Sequence, residues 1–214
     1  MMNNKKTISS LKKEFNLLIE FLYANNLCIG HFDYAINSIG GNKMEITRPN
    51  RKNESNILYD EIVNVKNVIK ELLERKEFNI LLRDRSIIQF EFICENNIII
   101  NERFIYIRAF DNIDFIEEEY DDFDWFDIDK GIPLIFRVDY NEIEQPNHPR
   151  AHATLNNIEC CRIPMKGPIS LTEFMTFILK NFYDIEYNGE IFKYANIETI
   201  TAEESKHIHF NWNN

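Results

Sequence analysis

Apolar residues recur along the first part of the chain with a helical period. Leu11, Phe15, Leu18, Ile19 and Leu22 fall at i, i+4, i+7, i+8 and i+11, with Lys12, Lys13, Asn16 and Glu20 elsewhere on the cylinder. That spacing predicts an amphipathic helix over 7–25, with Ser9 or Ser10 as its cap. A strand-like stretch over 27–37 follows. The Gly40-Gly41-Asn42 turn leads into Lys43–Thr47, the pattern of a hairpin. Ile62, Val65, Ile69, Leu72 and Leu73 return to the 3.6-residue period and predict a helix over about 57–76.

From Phe78 the pattern shortens to β-rich runs: Phe78–Leu82, Ser86–Ile93, Asn97–Ile100 and Phe104–Phe110. Asp84, Asn96-Asn97 and Asn101 stand where turns are expected. Ile132–Tyr140, Ala151–Asn156 and Ile158–Ile163 continue as strands. Leu171, Phe174, Met175, Ile178, Leu179 and Phe182 then mark a helix over 170–183, opened by the capping box Ser170-x-x-Glu173. Strands are expected near Ile191–Tyr194 and His207–Trp212. There is no internal repeat and no linker long enough to divide 214 residues. The expectation is one α+β domain over 1–214: a mainly antiparallel, curved sheet packed with about three helices, its strand-rich middle at 78–163.

A chain of this length buries roughly 70% of its unfolded surface and needs no staple. No run of about 18 apolar residues occurs, and charges interrupt the N-terminus, so neither a membrane span nor a secretory signal is expected. Cys28, Cys94, Cys160 and Cys161 form no C-x-x-C pair, which fits thiols of a reducing cytoplasm. The six glycines are too scattered for a phosphate-cradling loop.

The stretch His148-Pro149-Arg150-Ala151-His152-Ala153-Thr154-Leu155, then Cys161-Arg162-Ile163-Pro164, Pro168-Ile169-Ser170 through Phe174, and Phe177–Tyr183 resembles domain of unknown function 2290. Asp84–Gln89 and Phe136–Tyr140 look like that family's middle strands. The resemblance is strongest over about 136–183, and it implies a soluble bacterial protein with a shared fold and polar patch but no established reaction. The family tends to carry glycine where this chain has Arg85 and Asn156, which suggests altered turns.

Formal net charge is −11, which disfavours non-specific attraction to nucleic acid or anionic membrane. Ten of the acids lie in 111–129, which has no base; the other 25 acids and 24 bases nearly cancel. A local cationic face could therefore still bind phosphates. In an extended segment His148, Arg150, His152 and Thr154 project to one side, with Arg162 on the adjoining strand. Arginine forks and imidazoles suit a phosphate-bearing ligand, such as a nucleotide or nucleic-acid end. Arg150, Thr154 and Arg162 are the candidate ligand-binding residues.

His152, His148 and His209 are the candidates for proton transfer, because His152-Ala153-Thr154-Leu155 fits one half of a two-histidine phosphodiesterase pattern. The other half, His207-Ile208-His209-Phe210, has histidine where threonine or serine belongs. A hydrogen-bonded polar edge accounts for the same histidines without catalysis. His148, His152, His207 and His209 with Asp139 could also be assembled into a metal set, but their spacing matches no metal motif, and no metal or cofactor is expected. The competing reading is a non-catalytic component of a defence or toxin–antitoxin operon. It would meet a basic partner through the acidic, aromatic-rich segment 111–129.

Overall fold

The structure is a computed structural model, and it describes residues 5–50, 65–108, 134–143, 148–156, 162–191 and 198–206. The acidic segment, the Cys160-Cys161 pair, His207, His209 and the expected strand over 207–212 lie outside the described residues. Ile191, the only described residue of the other tail strand, is in no regular element.

The elements run α1 (Lys5–Ala24), β1 (Cys28–His31), β2 (Ala35–Gly40), β3 (Lys43–Thr47), α2 (Val65–Arg75), β4 (Ile80–Leu82), β5 (Ile87–Glu95) and β6 (Ile98–Arg108). β7 (Leu134–Asn141), β8 (Ala151–Leu155), β9 (Arg162–Pro164) and α3 (Leu171–Tyr183) follow. The nine strands of the described residues join one open antiparallel sheet in the order β1-β4-β5-β6-β7-β8-β9, with the β2–β3 hairpin added to β5. The α+β expectation holds: three helices accompany a single large sheet among the described residues.

The two faces of the sheet divide by strand parity. One face carries Phe90, Phe92, Phe104, Tyr106, Phe136, Val138, Ala151 and Ala153, all buried in a core shared with α1 and α3. The other carries Ile87, Ile105, Ile107 and Ile135, which pack with Ile69 and Leu72 of α2. Helix α2 covers only that end of the second face. Beyond it the second face turns polar, and the candidate site lies there.

Four local expectations need correction. Helix α1 begins at Lys5, so Ser9 and Ser10 are inside it and not caps; the Thr7 hydroxyl ties its start to the Asn97 carbonyl at 2.6 Å. The 27–37 stretch is two strands, split between His31 and Ala35. Asn101 is not a turn: β6 is one strand, in which Asn101 lies opposite Ile93 and Asn141, with a register shift between Ile93 and Cys94. The turns at Arg85 and Asn156 keep a glycine-like backbone, with φ of 66° and 50°. Asn156 suits that conformation because its side chain accepts the Ile135 N–H at 2.8 Å.

Strand β5 has a forked edge. β4 pairs with it at Ile87 and Ile88, β3 pairs with it from Phe92 to Glu95, and neither reaches Phe90. The buried Asn79 fills the gap: its own N–H donates to the Ile88 carbonyl, and its side-chain oxygen accepts the Phe90 N–H at 2.9 Å.

Helix α3 starts as the capping box predicts. The Ser170 hydroxyl accepts from Glu173 N–H, and the Glu173 carboxylate accepts from Ser170 N–H. Two buried carboxyls add to this helix start: Glu14 accepts the Thr172 N–H at 2.8 Å, and Glu102 accepts the Ile169 N–H at 2.9 Å. Burial raises Glu102 well above the ordinary 4.5, opposed by the Ile169 bond and reinforced by Glu173, Asp139 and Glu14. The folded state thus holds a proton on Glu102 that the unfolded chain releases near pH 4.5. Stability therefore falls as pH rises from there to the folded pKa. Glu102→Gln is expected to flatten that slope, at most about 1.4 kcal/mol per pH unit, in urea melts compared at pH 5 and pH 7.

Candidate functional site

The polar end of the second face is built from successive cross-strand partners. Arg103 of β6 lies opposite Asp139 of β7, and Asp139 lies opposite His152 of β8. In the adjacent row Arg137 faces Thr154, and Thr154 faces Arg162 of β9. Arginines on facing strands would repel across such a surface unless a carboxylate stood between them.

Asp139 does this. Arg103 Nε donates to its Oδ1 at 2.6 Å, and Arg137 Nε donates to its Oδ2 at 2.5 Å. Burial alone would raise the Asp139 carboxyl, but the two guanidiniums outweigh it and hold the group below its ordinary 3.8. The charge row continues outward: Arg48, on the far side of β5, pairs with Glu91 of that strand and lies 3.6 Å from the fully buried Glu77.

His152 is buried, at 2% exposure. Its Nδ1 lies 3.1 Å from the Pro149 carbonyl, which can only accept, so Nδ1 carries the proton and Nε2 keeps a lone pair. Nε2 stands 3.8 Å from Asp139 Oδ2 and makes no hydrogen bond. The His148 ring meets His152 edge-to-face at 4.6 Å, and its Nδ1 shares the same Pro149 carbonyl. Burial pushes His152 down to about 4; Asp139 opposes this, and His148 and Arg137 add to it.

His152 is thus neutral at pH 7. The folded protein favours that neutral imidazole, so its contribution to stability is whole above the unfolded value of 6.5 and is lost as pH falls toward 4. We expect a loss of about 3 kcal/mol across that window, and His152→Gln should remove most of the dependence in thermal melts at pH 7 and pH 4.5.

Of the residues singled out in the sequence, the fold brings His148, His152, Thr154 and Arg162 onto one surface. Arg150 departs from them. It sits in the bend before β8, and its charge acts on the Tyr140 hydroxyl, on the core side of the sheet. The alternation argument fails there because the backbone is not extended through the bend. Asp139 is engaged by two arginines. Among the described residues no group of three or more His, Cys, Asp or Glu side chains is arranged to hold a metal ion.

Arg103, Arg137, Arg48 and Glu91 were not anticipated as members. A signal for two of them existed: Arg137-x-Asp139 places opposite charges on one face of a strand whose other face is Phe136, Val138 and Tyr140.

Three atoms of this surface, His152 Nε2, Thr154 Oγ1 and Arg162 Nε, are buried without a hydrogen-bond partner. Thr154 is 1% exposed. Unsatisfied buried atoms also occur elsewhere, at Asn79 Nδ2, Gln89 Oε1 and Tyr187 OH, but here three fall at neighbouring register positions on one face, beside Arg137, where water or a ligand would satisfy them together.

Fold and site together define a class: a single α+β domain with an open antiparallel sheet, one face apolar and the other bearing an arginine–histidine surface. The sequence profile of the family described as "Uncharacterized conserved protein (DUF2290)" matches residues 31–212, and the chain belongs to that family. No curated protein and no solved structure matches it. No described helix is long and apolar enough to cross a membrane.

Proposed function

We propose that this protein binds a phosphate-bearing ligand, a nucleotide or a nucleic-acid end, on the β7–β8–β9 surface. The observation that carries the reading is the set of unsatisfied buried atoms at Thr154 and Arg162, directly opposite each other, with His152 one row away. Thr154 Oγ1 and Arg162 Nε supply neutral and charged donors to phosphate oxygens, and Arg137, held in place by Asp139, adds positive potential beside them. His148 lies at the rim, half-buried.

Binding is the activity proposed, and hydrolysis is secondary. A histidine held neutral at pH 7 is a poor proton donor, so His152 does not fit the general acid of a phosphodiesterase. The free buried thiols Cys28 and Cys94 support a reducing cytoplasm as the setting.

Calorimetric titration with nucleotides and short RNAs tests the proposal. Micromolar to millimolar binding, lost on combining Arg162→Ala with His152→Gln, is expected. Unchanged affinity in that double variant would overturn it.

The second reading runs through the acidic segment 111–129, which carries ten acids and no base. Its concentrated charge suits a basic protein partner. Neutralising those acids should abolish capture of such a partner and leave nucleotide binding intact.

A further inference from the structure

Resting on that reading, we propose that the ligand carries a hydroxyl beside its phosphate and that His152 Nε2 accepts a hydrogen bond from it. The class is a phosphorylated sugar or ribonucleotide, not a bare phosphate.

The argument begins with the tautomer. The Pro149 carbonyl takes the proton of His152 Nδ1, so the free nitrogen at Nε2 presents a lone pair. A phosphate oxygen, itself an acceptor, gains nothing there. Protonation would turn Nε2 into a donor, but the groups around the ring oppose it. Arg137 and His148 add positive potential, and Asp139, the carboxylate that faces the ring among the described residues, is already balanced by Arg103 and Arg137. Those charges and the burial of the ring keep it neutral near pH 7, in line with its depressed pKa.

The ligand must therefore supply the donor, and the donor must be uncharged. An ammonium group would have to sit among Arg137, Arg162 and His148. A hydroxyl carries no such penalty. Spacing agrees: His152 and Thr154 are two residues apart on one strand, about 7 Å, the width of a sugar ring. A phosphate on Thr154 and Arg162 thus places the far side of an attached sugar near Nε2. Asp139 Oδ2, 3.8 Å from Nε2, already accepts from Arg137, whereas Nε2 has no hydrogen bond of its own and is the acceptor left to the hydroxyl.

The test is calorimetric titration of the full chain at pH 7.5 with adenosine 5′-monophosphate, its 2′,3′-dideoxy analogue and inorganic phosphate. The ribonucleotide should bind at least about tenfold tighter than the dideoxy analogue, because only it satisfies the buried acceptor. His152→Phe should bring the ribonucleotide down to the affinity of the analogue, and His152→Gln, which keeps an acceptor, should restore part of the difference.

Equal binding of the two nucleotides by the wild-type protein, lost in Arg162→Ala, would overturn this inference and leave the phosphate reading standing. A persisting difference in His152→Phe would also overturn it, since the hydroxyl would then be read elsewhere. Uptake of one proton on binding, seen as a heat that varies with buffer ionisation enthalpy, would identify His152 as a charged donor and overturn it too. Failure of all three probes to bind at millimolar concentration would overturn the phosphate reading itself.

Discussion

Asp139→Ala is expected to destabilise the protein by about 3 kcal/mol in urea unfolding at pH 7. The substitution removes a carboxylate that accepts from the Nε atoms of two guanidiniums at 2.6 and 2.5 Å. Arg137 is 13% exposed and cannot move fully into water, while Arg103, at 30%, recovers part of its hydration. That asymmetry places the effect at the lower end of what a broken buried pair costs. A loss under about 1 kcal/mol would mean that the row is a solvated surface cluster. The same pair predicts an acid limb: Asp139 is held below 3.8, so its contribution is complete above that value and disappears as pH falls through the lower folded pKa. The His152 limb, between 6.5 and about 4, precedes it, and two separate steps should appear in an acid titration of stability.

The second large effect lies on the other face. Phe174 of α3 is fully buried and stacks on Phe104 at 4.9 Å and 16°, and on Phe136 at 6.2 Å and 9°. It joins the helix to the two central strands β6 and β7, with Phe177 extending the contact to Phe136 at 5.1 Å. Phe174→Ala is expected to cost about 4 kcal/mol, the transfer of a phenyl group plus the cavity it leaves. Phe174→Leu should recover more than half of that. A cost below 2 kcal/mol for the alanine variant, measured by thermal or urea unfolding, would show that the sheet and helix collapse onto the gap.

These two residues also mark how far the sequence could be read. Phe174 belongs to a helix whose period, cap and apolar stripe are all local, so its burial follows from residues within one turn of it. Asp139 differs. Its strand was legible, but its partners depend on register between β6 and β7, which are separated by 25 residues of sequence outside the described structure. No local pattern sets that register. Asn101 reads as a turn for a related reason: asparagine marks turns by propensity, and only the pairing with Ile93 and Asn141 reveals it as a strand residue. At the site, strand alternation placed His152 and Thr154 correctly on one face and failed at Arg150, where the bend ends the extended backbone.

The fork on β5 has a consequence for solubility. An unpaired strand edge is a template on which another chain can add, and proteins guard such edges with charge, distortion or cover. The guard at Phe90 is a side-chain amide: Asn79 supplies the carbonyl oxygen that a neighbouring strand would otherwise offer. Neither β3 nor β4 reaches that amide to take its place. Loss of the Asn79 amide would expose a short, aromatic-flanked edge in the middle of the sheet, so aggregation between chains is the failure to look for at this position, ahead of simple unfolding.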